Sequence, residues 1–69
     1  MLVKDFLKMS DFNSDENSFD VNDRGNREYN LTIDETFNKY GNKEITYFSF
    51  NAYAFYEGYS GLHIELEVK

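Results

Sequence analysis

Apolar and polar positions change their spacing several times along the 69 residues, and each change marks an element. Leu2, Phe6 and Met9 recur at i, i+4 and i+7, with Val3 and Leu7 beside that stripe, which predicts a short amphipathic helix over residues 2–9. A helix of about two turns is not stable alone in water, so it must pack against a sheet. The run from Ser10 to Asn17 is dense in Ser, Asn and Asp, whose side chains bond to nearby backbone, and reads as a loop.

After that loop, Ser18-Phe19-Asp20-Val21 alternates polar and apolar residues, and Glu28-Tyr29-Asn30-Leu31 alternates again. The intervening Asn22-Asp23-Arg24-Gly25-Asn26 predicts a hairpin with Gly25 at positive φ. Thr32 and Glu35 have the spacing of a capping box, so a second helix is expected over roughly 33–40. Phe37 and Tyr40 should share one face of it, and Gly41 is a natural stop. Glu44 to Ala54, rich in Ile, Thr, Tyr and Phe, predicts a strand, and Leu62 to Val68 alternates strictly. In that last strand Leu62, Ile64, Leu66 and Val68 take one face while His63, Glu65 and Glu67 take the other, with residues 56–61 as the connecting turn.

The element order is therefore α-β-β-α-β-β. Its simplest realisation is a single α+β domain over residues 1–69, a small antiparallel sheet of about four strands with two short helices on one face. Phe6, Leu7, Phe37, Phe48, Phe50, Leu62, Ile64 and Leu66 are the expected core. Strand order does not follow from the pattern.

Size sharpens this picture, because so short a chain buries only about 60% of its unfolded surface and supports one core. Disulfides cannot reinforce it, since there is no Cys, and that absence also fits a reducing cytosol. No apolar run reaches the length of a signal peptide or a membrane span, so a soluble, cytoplasmic protein is expected. Low mean hydropathy suggests disorder, but seven Phe and six Tyr supply the contact area that disordered chains lack. Seven basic against thirteen acidic residues give a net charge of −6, which repels nucleic-acid phosphate and attracts a basic protein surface.

Candidate chemistry is sparse. Asp11, Asn13 and Asp15 occupy alternate positions of a calcium loop, but Glu16 stands where Gly is needed and Asn22 where a bidentate Glu is needed. His63 is the only histidine, so no two-histidine metal site can form, and nothing in the spacing brings it a serine and an acid for relay chemistry. Glu65 and Glu67 on one strand face read as a solvated pair. None of the four glycines belongs to a phosphate-binding loop. Catalytic residues, metal and cofactor are accordingly all expected to be absent.

The composition points instead to surface recognition. From Tyr47 to Tyr56, with Tyr59 close behind, there are more large rings than one face of a small sheet can bury. Tyr beside acidic residues suits a cationic partner. Two groups are the expected contacts: Asp15, Glu16, Asp20 and Asp23, and Tyr53, Tyr56, Glu57 and Tyr59. The alternative is a structural or assembly protein that forms a homodimer through its aromatic sheet face.

The opening Val3-Lys4-Asp5-Phe6-Leu7-Lys8-Met9, the Asn22-Asp23-Arg24-Gly25 turn and the closing Leu62-His63-Ile64-Glu65-Leu66-Glu67-Val68-Lys69 resemble small acidic accessory proteins of bacteriophages infecting low-GC Gram-positive bacteria. The resemblance implies an anti-CRISPR-like inhibitor working in the cytoplasm of an infected bacterial host. Such a protein occupies the nucleic-acid-binding or PAM-reading surface of a CRISPR-associated or restriction nuclease with acidic side chains. The resemblance includes no functional motif, so no catalytic residue carries over from it; that no direct contact with nucleic acid is expected follows from the net charge of −6.

Overall fold

The structure is a computed structural model describing residues 1–9, 17–56 and 59–69, of which 52–56, 59 and 60 are described in backbone only. Its elements are α1 (Val3–Met9), β1 (Ser18–Asp23), β2 (Asn26–Leu31), α2 (Ile33–Tyr40), β3 (Ile45–Tyr56) and β4 (Tyr59–Val68), in the order α-β-β-α-β-β. Among the described residues no helix is long and apolar enough to cross a membrane.

The four strands lie in the order β2-β1-β4-β3. Both outer pairs are antiparallel hairpins, as the sequence predicts, but the central pair β1–β4 is parallel, so the sheet is mixed. The cause is the crossover through α2, which carries the chain from one sheet edge at β2 to the other at β3. Those edges run in the same direction, so their hairpin partners do too, and they meet in the middle.

Local chemistry fixes the element ends. Arg24 (φ 52) and Gly25 (φ 98) both adopt positive φ in the two-residue turn of the first hairpin, and Gly25 N–H donates to Asn22 Oδ1 at 2.9 Å. Thr32 Oγ1 accepts from Glu35 N–H and Glu35 Oε1 accepts from Thr32 N–H, each at 3.1 Å, completing the capping box of α2. At the other end Gly41 is in the right-handed helical region (φ −52), so it is not a left-handed stop. Glycine is required there for space: a Cβ would lie 2.5 Å from the Phe37 carbonyl oxygen.

The short first helix is held by the chain that follows α2. Val3 N–H donates to Lys43 O (2.9 Å) and Lys4 N–H to Gly41 O (3.0 Å), which satisfies donors that a helix start leaves without intrahelical partners. Ile45 N–H donates to Met1 O at 2.8 Å, tying the N-terminus to the start of β3.

The core consists of Val3, Phe6 and Leu7 of α1, Phe19 and Val21 of β1, Leu31 of β2, Tyr40 of α2, and Ile64, Leu66 and Val68 of β4. Phe6, Leu7, Ile64 and Leu66 are where the sequence puts them, and Leu62 packs partly buried against them. Three expectations are corrected: Phe48, Phe50 and Phe37 remain 48%, 45% and 40% exposed. Phe48 and Phe50 belong to an edge strand of which the seven-residue α1 covers only part, through Phe6 ring contacts at 5.3 and 6.1 Å. In α2, Thr36 is buried with Tyr40, its hydroxyl donating to Thr32 O at 2.8 Å, and Phe37 turns outward.

Candidate functional site

Both helices pack on the face carrying Val21, Leu66 and Phe48, and no described element covers the opposite face of the sheet. Strand alternation and register set three rows across it. Ser18, His63 and Asn51 form the first, Asp20, Glu65 and Ser49 the second, and Asn22, Glu67 and Tyr47 the third, with Arg27 of β2 beyond Asn22. A shallow groove of about 200 Å³ runs between Arg27 and Tyr29 on one side and Tyr47 on the other, over Asp20, Asn22, Glu65 and Glu67. Tyr29 and Tyr47 are 60% and 54% exposed.

His63 sits at the junction of the two central strands. Its Nδ1 is 2.8 Å from Ser18 Oγ and its Nε2 is 2.8 Å from Asp20 Oδ2. The other oxygen of Asp20 accepts from Asn30 N–H at 2.9 Å. That bond has a local cause: Phe19 pairs with Leu31 and Val21 with Glu28, so Tyr29 and Asn30 together oppose Asp20 as a β-bulge. Asn30, at φ 56, turns its N–H to the carboxylate.

The expectation that His63 finds neither a serine nor an acid is therefore corrected. Ser18 is its register partner, and Asp20 lies one pleat further on the same strand face. The residue types are those of a nucleophile–base–acid relay, but strand N–H groups point sideways into the sheet and not toward a hydroxyl above it. Acyl transfer by such a relay also draws on N–H donors aimed at the developing oxyanion. Asp20, His63 and Glu65 also bring their ligand-type atoms within 4.8 Å of one another, a donor set able to hold a cation.

The expected contact residues separate. Asp20 is on the open face and only about one-fifth exposed. Asp23 is similarly shielded at the end of β1, with Arg24 Nε at 3.3 Å and Lys43 Nζ at 3.4 Å. Tyr53 pairs in backbone with Gly61, and Tyr56 with Tyr59, while Asp15, Glu16 and Glu57 lie outside the described residues, as do all of residues 11–16 of the calcium-like loop. Ser18, Asn22, Arg27, Tyr29, Tyr47, Glu65 and Glu67 complete the face. The alternations Ser18-x-Asp20 and His63-x-Glu65 were the signal for it, but their juxtaposition needs the parallel pairing.

On the helix side, Glu28 accepts from Lys39 Nζ at 2.8 Å and from the Tyr40 hydroxyl. The Lys39 and Tyr40 bonds hold the Glu28 carboxyl below its usual range. Burial, and then the bond to Glu28, push the Tyr40 phenol up to about 12.

Comparison with family models, with characterised proteins and with solved structures found no match to this chain.

Proposed function

We propose that the protein acts by binding, as a non-enzymatic inhibitor of the phage type, and that the open sheet face is its contact surface for a basic protein partner. The observation that carries this reading is the company of residues on that face. Asp20, Glu65 and Glu67 lie between the exposed rings of Tyr29 and Tyr47. Glu65 and Glu67 are alternate residues of one strand, which sets their backbones about 6.8 Å apart. That separation is comparable to the distance between successive phosphates of a nucleic-acid strand. A surface that binds phosphates accepts such a row of carboxylates through the same Arg and Lys side chains. Together with the resemblance to phage accessory proteins, this supports a CRISPR-associated or restriction nuclease as the partner class.

The test is inhibition of purified nucleases of both kinds in a cleavage assay at low and high salt. Inhibition should weaken at high salt, because opposite charges on two exposed surfaces are screened. The double variant Glu65→Lys/Glu67→Lys should lose inhibition while keeping its far-ultraviolet circular dichroism. Undiminished inhibition by that variant, or no inhibition of any nuclease, would overturn the reading.

A second reading has its own observation. Phe48 and Phe50, in ring contact with each other and with Phe6, are about half exposed on the helix side of the edge strand β3. Self-association through these rings would bury them, and it would depend on protein concentration and little on salt.

A further inference from the structure

We propose that Asp20, His63 and Glu65 form a site for a divalent transition cation of the zinc class. One ring nitrogen of the imidazole and one oxygen from each carboxylate lie within 4.8 Å of one another, and Nε2 is the nitrogen that faces Asp20, at 2.8 Å. Three donors around one zinc at about 2.0–2.2 Å stand roughly 3.3 Å apart. Asp20 Oδ2 and His63 Nε2, at 2.8 Å, need to open by a few tenths of an ångström, and the exposed Glu65 side chain swings in to complete the set.

Two supporting contacts make this more than a cluster of acids. Ser18 Oγ, 2.8 Å from His63 Nδ1, accepts that nitrogen's proton in the tautomer that leaves the Nε2 lone pair directed at Asp20. Without a cation the 2.8 Å contact between Nε2 and Oδ2 is a hydrogen bond, and a cation bound there takes the place of its proton. Asn30 N–H occupies Oδ1 of Asp20 and thereby aims Oδ2 at the same point. Metal-binding histidines and carboxylates are oriented by such outer partners.

The backbone beneath is fixed as well, because Ser18 pairs with His63 and Asp20 with Glu65 in the two central strands. An imidazole with two carboxylates favours zinc, manganese or iron over calcium and magnesium, which take all-oxygen sets. The remaining coordination positions face solvent on the open side of the sheet. This site is independent of the partner reading above, which concerns the charge of the face and not its affinity for an ion.

Zinc chloride and cobalt chloride titrated into the full chain provide the test, by calorimetry and visible absorption. One equivalent should bind, with cobalt giving the intense visible bands of a four- or five-coordinate complex, and zinc should raise the thermal midpoint. Glu65→Gln and His63→Gln should weaken binding at least tenfold, Ser18→Ala by about ten- to a hundredfold as an outer-partner loss, and Glu67→Gln should leave it unchanged. Since Glu65 and Glu67 are both exposed, their variants are expected to fold. Absence of saturable binding to the folded wild-type chain, or equal binding by Glu65→Gln and Glu67→Gln, would overturn the site.

Discussion

Asp20 is the residue whose role differs most from its appearance in the sequence. As one of thirteen acidic side chains it looks like surface charge, yet it closes a β-bulge through Asn30 and holds the only imidazole. Neither contact was legible, because both depend on residues 10 and 43 positions away. Tyr40 is a similar case: its hydroxyl reaches Glu28 from α2 across to the first hairpin. Its phenol is raised in the fold from 10.0 to about 12, so the folded state keeps a proton that the unfolded chain loses above pH 10. The stability this provides is complete below pH 10 and is lost as pH rises toward 12. Lys39, raised by its bond to Glu28, contributes in the same direction. Replacing Tyr40 with Phe should cost about 1 kcal/mol at neutral pH and flatten the alkaline decline. Urea midpoints for both proteins at pH 9, 10 and 11 check this, and an equally steep decline in the variant would refute the assignment.

Among the elements, those written in adjacent residues were the ones the sequence revealed. The capping box of Thr32 and Glu35 and the positive φ of Gly25 in the hairpin turn depend on neighbours within three positions, and both form as expected, while the turn is tighter than the expected 22–26 and puts Arg24 at positive φ as well. The helix stop at Gly41 was legible as a position but not as a mechanism. Its missing Cβ admits the Phe37 carbonyl, and its own carbonyl receives Lys4 N–H from α1. Gly41→Ala therefore strains backbone that joins two helices, and should destabilise the domain by about 1–3 kcal/mol. Chemical denaturation would measure it; a neutral or stabilising result would mean that the α2 terminus shifts without disturbing α1. The misjudged burial of Phe48 and Phe50 has another cause, since hydrophobic alternation identifies a strand face but not whether that strand lies at the centre or the edge.

At the scale of the whole molecule the two sheet faces divide the work. One is covered by helices and keeps a partly open aromatic corner, while the other carries carboxylates, tyrosines and one imidazole. The corner makes a distinct prediction about assembly. If copies join there, Phe48→Ser/Phe50→Ser should convert a concentration-dependent oligomer into a monomer in sedimentation velocity without loss of secondary structure. A wild-type chain that is monomeric at high micromolar concentration would remove the assembly reading. The open face was half legible: the sequence assigned His63, Glu65 and Glu67 to one side of β4, but only the strand order brings Ser18 and Asp20 beside them.

That strand order also sets when the face comes into being. Each hairpin can zip from residues close in sequence, on a timescale of microseconds. The parallel seam between β1 and β4 must wait until α2 has carried the second hairpin across, because such pairing requires closure of a long loop. Ser18 and Asp20 arrive with one half of the chain, His63 and Glu65 with the other. The seam is thus expected to be a clasp that shuts last, so that the imidazole meets Ser18 and Asp20 only as folding is completed.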